Sequence, residues 1–127
     1  MTTEEAVFRD LVLTEWEAMP EKFKLRVENV ALLVEDEPSK ELREQEELSP
    51  KQTLLGHYHG IPATERGSHY GVGITLPDTI TLFRLPLTLE AEQIALERNV
   101  SSEEALRLAV RETLWHEVGH YFGFGEE

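Results

Sequence analysis

Cysteine is absent from these 127 residues. That removes disulfide frameworks, thiolate zinc sites and cysteine nucleophiles together. Any zinc site must be built from histidine and carboxylate ligands. Cations are scarce as well: 12 Lys and Arg stand against 25 Asp and Glu, a formal charge of −13. A chain so acidic repels the phosphates of nucleic acid and the surface of anionic membranes, so neither is an expected partner. Long apolar runs are missing too, and none approaches the roughly 20 residues that span a bilayer. The start, Met1-Thr2-Thr3-Glu4-Glu5, is polar and acidic where a signal peptide is basic and then apolar. A soluble, cytoplasmic protein is expected. No Gly-x-Ser-x-Gly occurs, so serine-hydrolase chemistry has no candidate.

What the chain does have is 40% apolar residues, enough for one compact core, and 1–127 reads as a single domain. Residues 3–19 are an amphipathic helix, with Phe8, Leu11, Val12, Trp16 and Met19 at helical spacing and Pro20 as its stop. Residues 26–34 read as a strand. Residues 35–50, with seven acidic residues and two prolines, read as a solvated acidic loop with room for one helical turn. Residues 53–59 are a second strand, ended by Gly60-Ile61-Pro62, and 63–77 a Gly-rich loop. Residues 79–85 alternate most cleanly of all. Pro86 behind them suggests a strand at a sheet edge. Thr88 is the expected cap of a helix over 89–98, broken at Asn99-Val100. Ser101 and Glu104 then form a capping box that opens a long helix to about Phe122, with Gly123 as its stop.

That last helix carries His116-Glu117-Val118-Gly119-His120, a His-Glu-x-x-His pattern. Residues four apart on a helix lie on one face, so both imidazoles address one point and can share a zinc ion. Glu117 flanks the same face, within reach of a water on that metal, and is the candidate general base. Gly123 follows His120 by three residues and Glu126 follows Gly123 by three more. A sharp turn at Gly123 can bring Glu126 back toward the metal, which makes Glu126 the expected third ligand. This is the metzincin spacing with a carboxylate in place of the usual histidine. One zinc ion per chain is expected.

Leu54-Leu55-Gly56-His57-Tyr58-His59-Gly60-Ile61-Pro62, Asp78-Thr79-Ile80-Thr81-Leu82-Phe83-Arg84 and Leu114-Trp115-His116-Glu117-Val118-Gly119-His120-Tyr121-Phe122-Gly123, in that order, resemble the bacterial minimal zincins. These are small single-domain proteins described as metallopeptidases. The resemblance covers most of the chain from Leu54 onward. It implies an α+β, zincin-like (metzincin-like) domain: a short mixed sheet, a backing helix and a C-terminal active-site helix. It also implies that an edge strand aligns an extended substrate beside the metal. Residues 79–85 would fill that role, with Thr79, Thr81 and Phe83 as substrate-binding residues. The only methionines are Met1 and Met19, so the methionine turn of metzincins has no candidate.

The remaining histidines and aromatics divide between site and scaffold. His57 and His59 alternate on one strand face. An ordinary strand role outweighs ligation for them, though either is a reserve third ligand. Tyr58, Tyr70 and Tyr121 are candidate donors to an oxyanion, with packing the plainer role. Trp115 reads as core rather than as a substrate platform. The function expected is a zinc-dependent metallopeptidase acting on a peptide or protein substrate. Two alternatives stand beside it: a non-catalytic metal-binding or interaction protein on a zincin scaffold, which the short stretch after the motif would suit, or a metallohydrolase of non-peptide amides or esters, since zinc hydroxide attacks any activated carbonyl.

Overall fold

A computed structural model describes residues 3–21, 30–60 and 78–121. Among them lie four helices and three strands: α1 (Thr3–Glu17), β1 (Val30–Glu35), α2 (Lys40–Gln45), β2 (Gly56–His59), β3 (Asp78–Phe83), α3 (Arg84–Arg98) and α4 (Ser102–Tyr121). The expected strand over 26–34 is therefore seen from Val30 onward, its earlier residues lying outside the described segments. The same holds for the loop over 63–77. The α+β class and the short mixed sheet are as the sequence indicates.

The strand order is β1-β3-β2. β1 runs parallel to β3, with Leu32 opposite Ile80 and Val34 opposite Leu82. β2 runs antiparallel to it, with Gly56 opposite Leu82 and Tyr58 opposite Ile80. Period-two alternation therefore puts Val30, Leu32, Val34, Tyr58, Ile80 and Leu82 on one face. Against that face pack Phe8 and Val12 of α1, Leu87, Ala91 and Ile94 of α3, and Ala105, Ala109, Val110, Leu114 and Val118 of α4. Ile80, Leu82, Leu87 and Val110 lose all contact with water, each contributing about 1.5–3 kcal/mol by burial.

Here the structure corrects the sequence-based picture. β3 is the central strand, not an edge. Asp78, Ile80, Thr81, Leu82 and Phe83 are all buried, which suits a strand covered on both faces. Pro86 does not end a sheet edge. It lies in the first turn of α3, where its missing N–H has no helical acceptor to lose. Thr88 consequently does not cap that helix: Phe83 is the N-cap residue, and the Thr88 hydroxyl donates back to the Arg84 carbonyl at 2.8 Å. The start of α3 is fastened to the end of β1 instead. Leu85 N–H donates to the Asp36 carbonyl at 3.0 Å, and Arg84 Nε donates to the Asp36 carboxylate at 2.8 Å.

The helix boundaries around the site follow from caps. Asn99 closes α3 in a left-handed conformation, φ 53°, a position asparagine tolerates. The Ser101 hydroxyl accepts from Glu104 N–H at 3.1 Å, the expected cap of α4. Glu103 and Glu104 sit in its first turn, where the helix dipole favours negative charge. Within the acidic segment, Ser39 caps α2 by accepting from Leu42 N–H at 3.1 Å, so one turn and a half of helix stands where a loop with a helical turn is expected. On α1, Glu15 is buried and held by Arg111 of α4 at 2.7 Å. That pair fixes α1 to α4 without leaving a bare charge in the interior. No helix among the described residues is long and apolar enough to cross a membrane.

Candidate metal centre

α4 has two faces. One is the apolar stripe Val110, Leu114 and Val118, sunk in the core. The other carries His116, Glu117 and His120 into a cleft of about 500 Å³. The cleft lies between α4 and the segment Thr53–Tyr58, with Glu90 of α3 and Glu46 at the end of α2 on its rim. Two glycines allow this arrangement. A Cβ on Gly56 would stand 2.8 Å from Thr113 Cγ2, so only glycine lets β2 approach α4 this closely one turn before the motif. Gly60, at φ 154° and facing Asp78, ends β2 in a conformation other residues rarely adopt.

The His116 and His120 ring centroids are 4.7 Å apart and tilted by 56°, so the pair addresses a common point, as its spacing on the helix requires. Glu117 is 4% exposed yet lines the cleft, and its Oε1 lies 3.5 Å from His120 Nδ1. Two imidazoles facing one point are donors suited to zinc, and the adjacent Glu117 carboxylate is placed to act on a water there. Among the described residues no three His, Asp or Glu side chains converge closely enough to share one ion. The expected third ligand, Glu126, lies outside the described residues, as do Gly123, His69 and Tyr70.

β2 supplies the opposite wall. His57 and His59 do share a face, their rings 6.4 Å apart, but only His57 borders the cleft. Its Nδ1 stands 3.8 Å from Glu46 Oε1. Burial pushes the His57 pKa below its ordinary 6.5; Glu46 opposes that shift, and His59 and His120 add to it. His57 is not brought together with His116 and His120 as a third ligand in this geometry. Tyr58 donates its hydroxyl to Asp78 at 2.5 Å, which ties β2 to β3 and fits the packing role. Trp115 is 39% exposed, so it is not core as expected: it falls between the buried stripe and the cleft face of α4.

Thr79, Thr81 and Phe83 cannot offer their strand edge to a substrate. Both edges of β3 are taken, by β1 and by β2, and Thr81 and Phe83 are buried. The strand beside His116 and His120 is β2, which pairs with β3 alone among the described strands. Sequence reasoning also missed the walls of the cleft. Glu112 and Thr113 lie one turn before His116 and Glu117 on the same helical face, so spacing alone could have found them. Glu46 and Glu90 arrive from other elements, and no local signal marks them.

Comparison with known proteins agrees with the motif. The model of the zincin-like metallopeptidase family matches residues 27–127. No protein of curated function is recognisably similar in sequence. Among solved structures, a conserved hypothetical protein from T. thermophilus superposes with a TM-score of 0.54, at 22% identity, over 94% of each chain. At that identity the likeness concerns the fold.

Proposed function

The chain belongs to the zincin-like metallopeptidase family, and on that premise we propose that it is a zinc-dependent peptidase in which Glu117 is the general base. The observation that carries the reading is the joint placement of His116, Glu117 and His120 on the cleft face of α4. A zinc ion held by His116 and His120, with Glu126 completing the set, would supply a Lewis acid that polarises the scissile carbonyl and acidifies water.

The rest of the chemistry belongs to the chain's own groups. His116 and His120 would hold that ion, each through one ring nitrogen. Glu117, largely withdrawn from solvent, accepts a proton from the attacking water as the water oxygen bonds to the carbonyl carbon. It then returns that proton to the amine nitrogen as the peptide C–N bond breaks. Water is consumed, and one carboxyl and one amine product result. β2, which borders the cleft, rather than β3 is the strand along which an extended peptide would align. Gly56, by keeping β2 against Thr113, holds that strand at the depth of the motif.

Glu117→Gln tests the assignment. It preserves side-chain volume and removes the base, so zinc content should be unchanged while turnover of a peptide mixture falls by about 10²–10⁴. A variant that cleaves as fast as the parent would show that Glu117 is not the base. Zinc uptake with no metal-dependent cleavage by the parent would leave a metal-binding scaffold.

A further inference from the structure

From the histidine pair the cleft runs back along α4 past Glu112 and Thr113 to Ala109, a distance of about two helical turns. Its walls there are of two kinds. Leu54, Leu55 and Ala109 are apolar, whereas Glu90 and Glu112 put carboxylates on the rim. Neither Lys nor Arg is among the described lining residues. Glu90 has no ion-pair partner among the described residues. Among the described residues Glu112 meets only Arg98, at 3.1 Å, a pair with both side chains about half exposed, so the contact is weak and easily exchanged.

We propose that this end of the cleft is a subsite for a lysine or arginine side chain of the substrate, and that the protein therefore acts on basic peptides. The inference rests on the peptidase reading above. Lysine and arginine are amphipathic, with an aliphatic stem and a charged head. The apolar wall of Leu54, Leu55 and Ala109 accommodates the stem while Glu90 and Glu112 meet the head. An apolar side chain would desolvate Glu90 and Glu112 without offering them a cation, and an acidic one would be repelled. Glu112 precedes His116 by four residues, about 6 Å along the helix, or roughly two residues of extended peptide. The cationic residue thus lies one or two positions from the scissile bond. The net charge of −13 draws basic peptides toward the whole molecule, but only the subsite fixes the position of the charge along the chain.

The test is a binding measurement that needs no turnover. Dye-labelled alanine-rich hexapeptides carry Lys, norleucine or Glu at each position in turn, and fluorescence anisotropy reads their affinity for zinc-loaded Glu117→Gln protein. At one position Lys should bind about fivefold more tightly than norleucine, and Glu more weakly than either. Adding Glu90→Gln and Glu112→Gln should bring the Lys-to-norleucine ratio close to one. Arg98→Gln, which releases Glu112, should widen it. Glu92→Gln, the same change of charge elsewhere on α3, should leave it unaltered. Equal affinity for Lys and norleucine at every position, a preference that survives in the double variant, or no saturable binding of any peptide would overturn the proposal. Failure of the peptidase reading is seen separately, as the absence of metal-dependent cleavage by the parent protein.

Discussion

β1 and β2 flank the same strand, yet they do different work. β1 is six residues long, Val-Ala-Leu-Leu-Val-Glu, and pairs with β3 along its whole length. Its Val30, Leu32 and Val34 pack on the core. β2 is four residues long, Gly-His-Tyr-His, with little apolar surface to bury. It is held by its pairing to β3, by the Tyr58–Asp78 hydrogen bond and by the close passage of Gly56 over Thr113. The strand with the weaker hydrophobic anchor is the one that borders the cleft. The apolar anchoring is thus on the β1 side of β3, and the cleft with its polar groups is on the β2 side.

Substitutions can break or sharpen that contrast. The largest effect belongs to the strand both neighbours depend on. Leu82→Ala, at a position with no exposure, should cost about 2–5 kcal/mol in denaturant unfolding and should affect both sides. Gly56→Ala is the sharper probe. The added methyl falls 2.8 Å from Thr113 Cγ2 and 3.1 Å from the Thr81 carbonyl oxygen, an overpacking worth about 1–3 kcal/mol. Peptide turnover per folded molecule should also fall, because β2 must move away from α4. Val34→Ala on β1 should cost roughly 1 kcal/mol and leave turnover per folded molecule unchanged. Equal loss of turnover in the two variants would abolish the contrast.

The smallest effect concerns pH. His57 is held below its ordinary pKa of 6.5, chiefly by burial. As pH falls through that value the unfolded chain takes up a proton that the folded one resists. The unfolded state then binds more protons, so the folded state loses stability toward acid. His57→Gln should make the decline below about pH 6.5 shallower, as read by urea unfolding on either side of that value. A steeper decline in the variant would contradict the assignment of burial as the cause.

Much of this was legible in the sequence, and the lapses have physical reasons. The α4 helix is self-specifying: a capping box, an apolar stripe and the His-Glu-x-x-His spacing all lie within one local element, and local periodicity reports them directly. α1 was readable for the same reason. The position of β3 in the sheet was not, because strand order is a long-range property and Pro86 admits two readings, sheet edge or first helical turn. Its uninterrupted burial from Ile80 to Phe83 decides between them only in three dimensions. The substrate-facing role assigned to Thr79, Thr81 and Phe83 failed with that reading. Trp115 stood beside the apolar stripe in sequence, but one residue is about 100° of helical rotation, enough to turn it toward water. Glu46 and Glu90 reach the cleft only because α2 and α3 are packed around it.

The most direct test of the metal centre is zinc content by equilibrium dialysis together with thermal stability, comparing the parent with His116→Ala and Glu126→Ala. The expected result is one zinc per chain for the parent, with a melting temperature that rises as zinc is added. Binding should be lost in His116→Ala and weakened in Glu126→Ala. A parent that takes up no zinc, and whose melting does not respond to it, would contradict the zinc-peptidase assignment at its root.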